Sequence, residues 1–299
     1  MGLPRFKTLI AIAELGSFTE AAKAVYLTPA AVSQQMKALE EELDISLFDR
    51  SKRPPQLNPA GYALVPKARE LLKKYEALKP SLTGAADKVE NLTIGTVPTT
   101  MTGIMPMALK ALQKDQNNLH IRIYPALSDD LYAQVDRGFL DAAILTQPPT
   151  LYKHLLWRPF AEEPLVVLAS KQTKSNDARE ILETQPFIRF ARKAWVGKMI
   201  DQWLIKNNIQ VHEKMELDSL EAIAAMVINN LGVSIVPMSC CSEPEQASLK
   251  SILLGDSAKP RVLGVLCRRD SSNHKLIEIL WLELLRIVEN FDRSNASSN

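Results

Sequence analysis

The stretch Ser17–Arg53, SFTEAAKAVYLTPAAVSQQMKALEEELDISLFDRSKR, decides how the rest of the chain is read. Ser17 and Glu20 have the S-x-x-E spacing of a capping box, in which side chains satisfy the orphan N–H groups at a helix start. Ala21, Ala22 and Val25 give that helix a small inward side, and Tyr26 and Leu27 are expected to cover the turn after it. Thr28 and Pro29 then restart a helix, a hydroxyl at the N-cap followed by proline at the first helical position. From there Val32, Met36, Leu39 and Leu43 form a buried stripe. The opposite stripe is Ala30, Ser33, Gln34 and Lys37.

That outward stripe, with Thr28 at its tip, suits a helix entering the major groove of double-stranded DNA. It has little bulk at the tip, hydroxyls and amides for base edges, and a cation for phosphate. The alternative is an ordinary surface helix, which carries Glu and Lys all along. Glu40, Glu41 and Glu42 have that character and are read as a solvated face. Next, Ile45, Leu47 and Phe48 lead to Arg50, Ser51, Lys52 and Arg53 and then Pro54 and Pro55. A short apolar piece with a basic tip predicts a β-wing over the phosphate backbone, with a solvated loop as the bland alternative.

On the N-terminal side, Leu3, Phe6, Leu9, Ile10 and Ala13 recur at helical spacing and stop at Gly16. On the C-terminal side, Asn58 and Pro59 start another helix. Its Leu64, Ala68, Leu71, Tyr75, Leu78 and Leu82 follow a seven-residue repeat that needs cover. The simplest cover is the same helix of a second copy, so a homodimer is expected, with two recognition helices on a two-fold-related DNA site. Pro66 is expected to kink this helix, and Pro80 and Gly84 to mark its end.

The chain has 299 residues, enough for two or three domains, with 46% hydrophobic and 23% charged residues. A net charge of +2 excludes a globally polycationic binder, so any DNA contact rests on a local basic patch. No apolar run spans a bilayer and no signal peptide opens the chain, so a cytoplasmic protein is expected. Cys240, Cys241 and Cys267 are read as plain buried thiols. His120, His154, His212 and His274 have no metal-ligand spacing, and no nucleophile or nucleotide motif is present, so neither cofactor nor enzyme activity is expected.

The run ELGSFTEAAKAVYLTPAAVSQQMKALEEELDISLFDRSKRPPQLNPAG, Glu14 to Gly61, resembles the DNA-binding domain of LysR-type transcriptional regulators. The marks are GSFTEAA, TPAAVSQQMKALEEEL, LFDR and Asn58-Pro59-Ala60-Gly61. The resemblance implies a winged helix-turn-helix with its two-helix unit at about 18–37, a dimerising linker helix over 59–90, and tetramers, although the heptads alone support only a dimer. Family members often have Ser-Gln-Pro where this chain has Leu27-Thr28-Pro29, and Arg where it has Gln34, which leaves the base preference open.

Beyond Asn91 the periodicity changes. Strands are expected at Leu92–Val97, Leu119–Ile123, Asp141–Leu145, Leu165–Ala169, Phe187–Phe190, Glu213–Leu217, Val233–Pro237 and Leu263–Cys267. Helices fall between them, with Asp218 and Glu221 read as a capping box, and a closing helix carries Leu276 to Ile287. Such alternation means parallel βαβ units, so the chain is α/β beyond its N-terminal module. The tail from Ser294 is expected to be disordered.

The marks LTIGTVPTT, GFLDAAIL, EEPLVVLAS, PFI, DSLEAIAAMV and NLGVSIVP resemble the same family's effector domain. The implied fold is periplasmic-binding-protein-like, with two α/β lobes. The domains would be 1–58, 59–90 and 91–299, with lobe I at about 91–162 and 265–293 and lobe II at about 163–264. Crossovers are expected near Gln147–Glu163 and Lys259–Cys267. In such a fold a small-molecule effector sits between the lobes. Thr99 and Thr100 would meet an anion at a helix start, unless they serve only as caps. Arg189 or Arg192 beside Phe190 would pair with a carboxylate, and Gln147 would touch ligand. Trp195 is read as core or as cleft wall. A solute-binding protein or an enzyme with an appended helical module is the alternative function. The first lacks a signal peptide, and the second lacks a catalytic motif.

Overall fold

The computed structural model describes residues 2–76, 90–115, 118–238, 249–255 and 257–296. Leu78, Leu82, Pro80, Gly84, Cys240 and Cys241 lie outside them. The chain divides into two compact units, Met1–Glu90 with Asp136–Phe139, and Asn91–Val135 with Leu140–Asn299.

In the first unit α1 (Leu3–Leu15) ends at Gly16, whose φ of 64° is the left-handed conformation that favours glycine. Helix α2 (Phe18–Ala24) starts at Ser17, whose hydroxyl accepts from the Glu20 N–H at 3.4 Å. Helix α3 (Pro29–Leu43) follows after a turn held by the Leu27 N–H on the Ala22 carbonyl at 2.9 Å. Strands β1 (Phe48–Asp49) and β2 (Gln56–Leu57) pair antiparallel as the wing, and α4 spans Pro59–Glu76 with Pro66 inside it. Phe6, Leu9, Ala21, Val32, Met36, Leu39, Phe48, Leu57 and Val65 make one core from all of these elements. Tyr26 does not cover the turn: with φ of 56° it is held left-handed and is 94% exposed.

The second unit contains β3 (Glu90–Thr96), a short 3-10 turn Pro98–Thr100, α5 (Ile104–Asp115), β4 (Leu119–Pro125), α6 (Ser128–Asp136), β5 (Ala142–Thr146), β6 (Leu155–Glu163) and β7 (Leu165–Ser170). Then come α7 (Ala178–Thr184), β8 (Pro186–Phe190), α8 (Trp195–Lys206), β9 (His212–Leu217), α9 (Leu220–Ile228), β10 (Ser234–Pro237), β11 (Leu249–Leu253), β12 (Arg261–Arg268) and α10 (His274–Ala296). The last helix reaches Ala296, into the stretch from Ser294 expected to be disordered, whose residues 297–299 lie outside the described ones.

Five strands in the order β4-β3-β5-β12-β6 form the first lobe's sheet, β3 parallel to β5 and β12 antiparallel to both neighbours. Central β5 is buried along its whole length. The second lobe repeats the arrangement: β8 runs parallel to β9, and β7 is antiparallel to β10 and β11. A parallel bridge between Phe187 and Val233 joins these sets in the order β9-β8-β10-β7-β11. Each lobe has its own core, around Leu92, Met105, Ile144 and Leu280 in the first and around Val167, Phe187, Ile200 and Ile235 in the second. Cys267 is buried in the first, and burial pushes its thiol up from the usual range.

The expected crossovers are narrower than the sequence suggests. Residues 155–163 are an additional strand of the first sheet, so Pro164 alone links β6 to β7. Pro159 and the mixed burial of β6 hide an edge strand from a periodicity reading. The return lies between β11 and β12.

Gly197 shows how tightly the β8–α8 corner is drawn: a Cβ there would run into the Ala191 carbonyl oxygen. Gly197→Ala is expected to destabilise the second unit by about 1–3 kcal/mol. Thermal unfolding followed by circular dichroism checks this, and an unchanged melting temperature would contradict the close approach.

Candidate functional site

Two places collect polar side chains that their elements leave unused. The first is the outer face of α3. The Thr28 hydroxyl accepts from the Ala31 N–H at 3.2 Å, which fixes the first turn and starts the helix at Pro29. Burial of Val32, Met36 and Leu39 then turns Ala30, Ser33, Gln34 and Lys37 outward, and all four are exposed, as is Thr28. Between these faces Gln35 accepts from the buried Thr8 hydroxyl of α1 at 2.7 Å, fixing the rotation of α3.

Arg50, Ser51, Lys52 and Arg53 are exposed between the two wing strands. Asp49 accepts from the Ser51 hydroxyl at 2.6 Å, and the Lys52 ammonium donates to Gln56 at 3.0 Å. Glu40, read as part of a solvated face, instead holds the wing. Its carboxylate accepts from the Leu47 N–H at 2.7 Å, the Phe48 N–H at 3.2 Å and the Arg50 guanidinium at 2.7 Å. Burial opposes its ionisation, but these donors outweigh it and hold the carboxyl below its usual range. Glu42 likewise accepts from Arg5 at 2.7 Å, which leaves Glu41 as the solvated member, 3.7 Å from Lys37. No helical spacing marks Glu40, because its partners lie beyond the helix end.

The stripe on α4 divides. Ala68 is buried with Val65 and Leu72 in the core of its own unit, and Leu64 is packed against that core. Leu71 and Tyr75 are 39% and 50% exposed. Ala68 lies on the shoulder between the two stripes, where a seven-residue pattern cannot distinguish self-packing from pairing.

The second place is a cavity of about 170 Å³ between the two lobes of the second unit. The first lobe supplies Val97, Pro98, Thr99, Leu127, Ser128 and Thr146, and the second supplies Phe190, Ala191, Ala194, Trp195, Val196, Asp218 and Ser219. Arg261 also lines it and is 1% exposed. Its Nε donates to Glu163 Oε2 at 2.7 Å and its Nη1 to the Thr99 hydroxyl at 2.9 Å. Nη2 lies against the same glutamate oxygen but off hydrogen-bonding geometry, so it has no acceptor. Arg261 and Glu163 are also cross-strand partners in the β12–β6 ladder. Burial pushes the Glu163 carboxyl up, against the pull of the Arg261 charge.

Two further contacts join the lobes. Asp129 accepts from the Trp195 indole N–H at 2.6 Å and from Lys198 at 3.2 Å. The Thr102 hydroxyl donates to Glu221 at 2.8 Å, and the Ser219 and Thr102 hydroxyls hold that carboxyl below its usual range. Ser219, not Asp218, caps α9, accepting from the Ala222 N–H at 3.2 Å.

Of the residues expected in this cleft, the structure brings Thr99 and Phe190 together there, and Trp195 forms a wall. Four others are placed elsewhere. Thr100 turns its hydroxyl to the Val97 carbonyl at 2.8 Å, satisfying the local turn. Gln147 is exposed, its N–H extending the sheet to the Val262 carbonyl at 2.8 Å. Arg192 is exposed and engages Glu213 and Glu216 of β9, while Arg189 reaches Asp201 and Glu213. Strand alternation explains Arg189, which points away because Phe190 faces the cavity, while Arg192 lies beyond the end of β8. Sequence reading missed Arg261, Glu163, Ser128 and Thr146. The available signal was a charge beside an apolar strand at each crossover. Among the described residues no group of His, Cys, Asp and Glu could hold a metal ion, and no helix is long and apolar enough to cross a membrane.

Residues 3–62 match the model for the bacterial regulatory helix-turn-helix protein, lysR family, and residues 86–287 match that for the LysR substrate binding domain. A probable RuBisCO transcriptional regulator of Thalassiosira pseudonana is 30% identical over 299 residues, 94% of this chain and 96% of its own. One of Cyanidium caldarium is 29% identical over 307 residues, 99% of this chain and 97% of its own. Among solved structures, a full-length OxyR variant from Pseudomonas aeruginosa has a TM-score of 0.68 at 22% identity, covering 95% of this chain and 94% of that one. That likeness is one of fold.

Because the Glu40 carboxyl is depressed by its folded-state donors, its contribution is present at neutral pH and is lost as pH falls through the carboxylate range. Glu40→Gln is expected to lower the melting temperature of the first unit at pH 7 and to flatten its decline toward pH 4. Melts at several pH values check this, and parallel curves for the two proteins would contradict it.

Proposed function

The chain belongs to the lysR family of bacterial regulatory helix-turn-helix proteins, and from that premise we propose how its sites divide the work of a DNA-binding transcriptional regulator. Ala30, Ser33 and Gln34 read base edges in the major groove, while Thr28 and Lys37 contact the adjoining backbone. Arg50, Ser51, Lys52 and Arg53 hold phosphate. Two copies pair through the Leu71 and Tyr75 side of α4, with Leu64 at its start. Pairing places two copies of α3 on a two-fold-related site, and two such pairs give a tetramer. The boundaries we assign are 1–58 for reading DNA, 59–90 for pairing and 91–299 for sensing. A small molecule held in the interlobe cavity, and not transformed there, shifts lobe closure and through it the spacing of the paired modules. Such a protein works in the cytoplasm.

The observation that carries this reading is the outward face of α3, uncharged at its tip and set beside a basic wing that Glu40 fixes to the same helix.

Selection from random duplexes is expected to enrich a site with two-fold symmetry. On that site Gln34→Ala should cost about 1–3 kcal/mol of discrimination at one base position. Arg53→Ala should weaken all duplexes alike and reduce the salt slope by about 1. Fluorescence anisotropy across a salt series measures both. Enrichment of no symmetric site, or equal effects of the two substitutions on every sequence, would contradict the assignment.

A further inference from the structure

We propose that Gln35 is a positioning residue for DNA recognition: through Thr8 it holds α3 at the roll that presents Ser33 and Gln34 to base edges. The proposal rests on the reading of that face given above, and names what keeps it in register.

Ser33-Gln34-Gln35 offers two adjacent glutamines, either of which suits a base edge. Successive residues of a helix stand about 100° apart, so the roll of α3 decides which of the two faces outward. The structure separates them. Gln34 is exposed, whereas Gln35 is half-buried and its Oε1 accepts from the Thr8 hydroxyl of α1 at 2.7 Å. Thr8 is 1% exposed, and among the described residues it is the one buried polar side chain of the first unit. A single polar pair within an apolar helical core fixes register, because only one arrangement of the helices satisfies it.

The apolar stripe does not fix the roll by itself. Val32, Met36 and Leu39 are buried, but burial is non-directional, and Met36 in the middle of the stripe has an adaptable thioether. With side chains reaching about 5–6 Å from the helix axis, a roll of about 20° carries a surface group about 2 Å sideways. Recognition tolerates only about 0.5 Å or 10–20°. A hydrogen bond weakens steeply away from its optimum and so resists that roll. The other ties of α3, Arg5 on Glu42 and Glu40 on the wing, lie toward the C-terminal end of the helix. Gln35 is the tie beside the residues that face the bases.

The Thr8 hydroxyl also lies 3.1 Å from the Pro4 carbonyl, an acceptor within its own helix. Removing the Gln35 acceptor therefore orphans no buried donor, and stability changes little. Discrimination and stability can be read separately at this position.

The test uses the full-length protein with the duplex enriched from random sequence, its single-base-pair variants and a scrambled duplex of equal length. Gln35→Met keeps the reach of the side chain and removes the acceptor, and Thr8→Val keeps the shape and removes the donor. Gln35→Met is expected to lower discrimination about three- to tenfold at the base pairs where Gln34→Ala lowers it. Its affinity for scrambled duplex should stay within about twofold of wild type, with an unchanged melting temperature. Thr8→Val should lower the same discrimination, the double variant should be no worse than either single one, and Thr8→Ser, which keeps the hydroxyl, should retain it. If Thr8→Val does not fold, Gln35→Met and Thr8→Ser carry the test. Full discrimination in Gln35→Met overturns the proposal, as does additive loss in the double variant. An equal loss on scrambled duplex makes Gln35 a direct DNA contact, and failure of Gln35→Met to fold makes the contact merely structural; either also overturns it. Gln34→Ala with full discrimination contradicts the reading of the face, and this proposal with it.

Discussion

Strand β6 ends on Glu163, strand β12 begins on Arg261, and these opposite charges face each other across the ladder, both buried. They stand where the chain leaves the first lobe and where it returns, so each crossover is anchored by the other. Moving two such groups out of water costs several kcal/mol per ion, recovered only when they remain together. The pair therefore fixes the start of both connections, and Thr99, as Arg261's third contact, ties the cavity wall to the same point.

The mouth of the cavity is held differently. Asp129 with Lys198 and Glu221 with Thr102 are contacts between exposed side chains, and an exposed ion pair contributes about 0–1 kcal/mol. With a buried hinge pair and latches this weak, a second lobe arrangement would lie only a small free-energy gap away. That is the condition under which a small ligand can shift a population, since its differential affinity need only exceed the gap. The helix-turn-helix unit shows the opposite design. Glu40 fixes the wing to α3, and Gln35 on Thr8 fixes the roll of α3 against α1, so the outward face of α3 is held in one orientation.

Local rules made much of this legible. Caps at Ser17, Thr28 and Asn58 and the stop at Gly16 are contacts within a few residues, and the structure contains each of them. Alternation of strand and helix foretold α/β units, which the family resemblance divided into two lobes, and the exposure of Ala30, Ser33, Gln34 and Lys37 follows from helical periodicity. What escaped is long-range. Glu40 meets partners beyond the turn, and Ala68 serves its own core from a position the heptad also claims. Arg192 lies beyond the end of β8, where acids on β9 engage it, and β9 is distant in sequence. Arg261 and Thr99 are 162 residues apart, and only the return of the chain to the first sheet brings them together.

The hinge pair is tested most directly by a double-mutant cycle in the full chain, with Glu163→Leu, Arg261→Met and the two combined, followed by chemical unfolding of the second unit. Each single change leaves an uncompensated buried charge and is expected to cost about 3–5 kcal/mol, while the double change, which removes both, costs far less than their sum. Additive losses would show that the two charges do not depend on each other, and would contradict the account of the hinge.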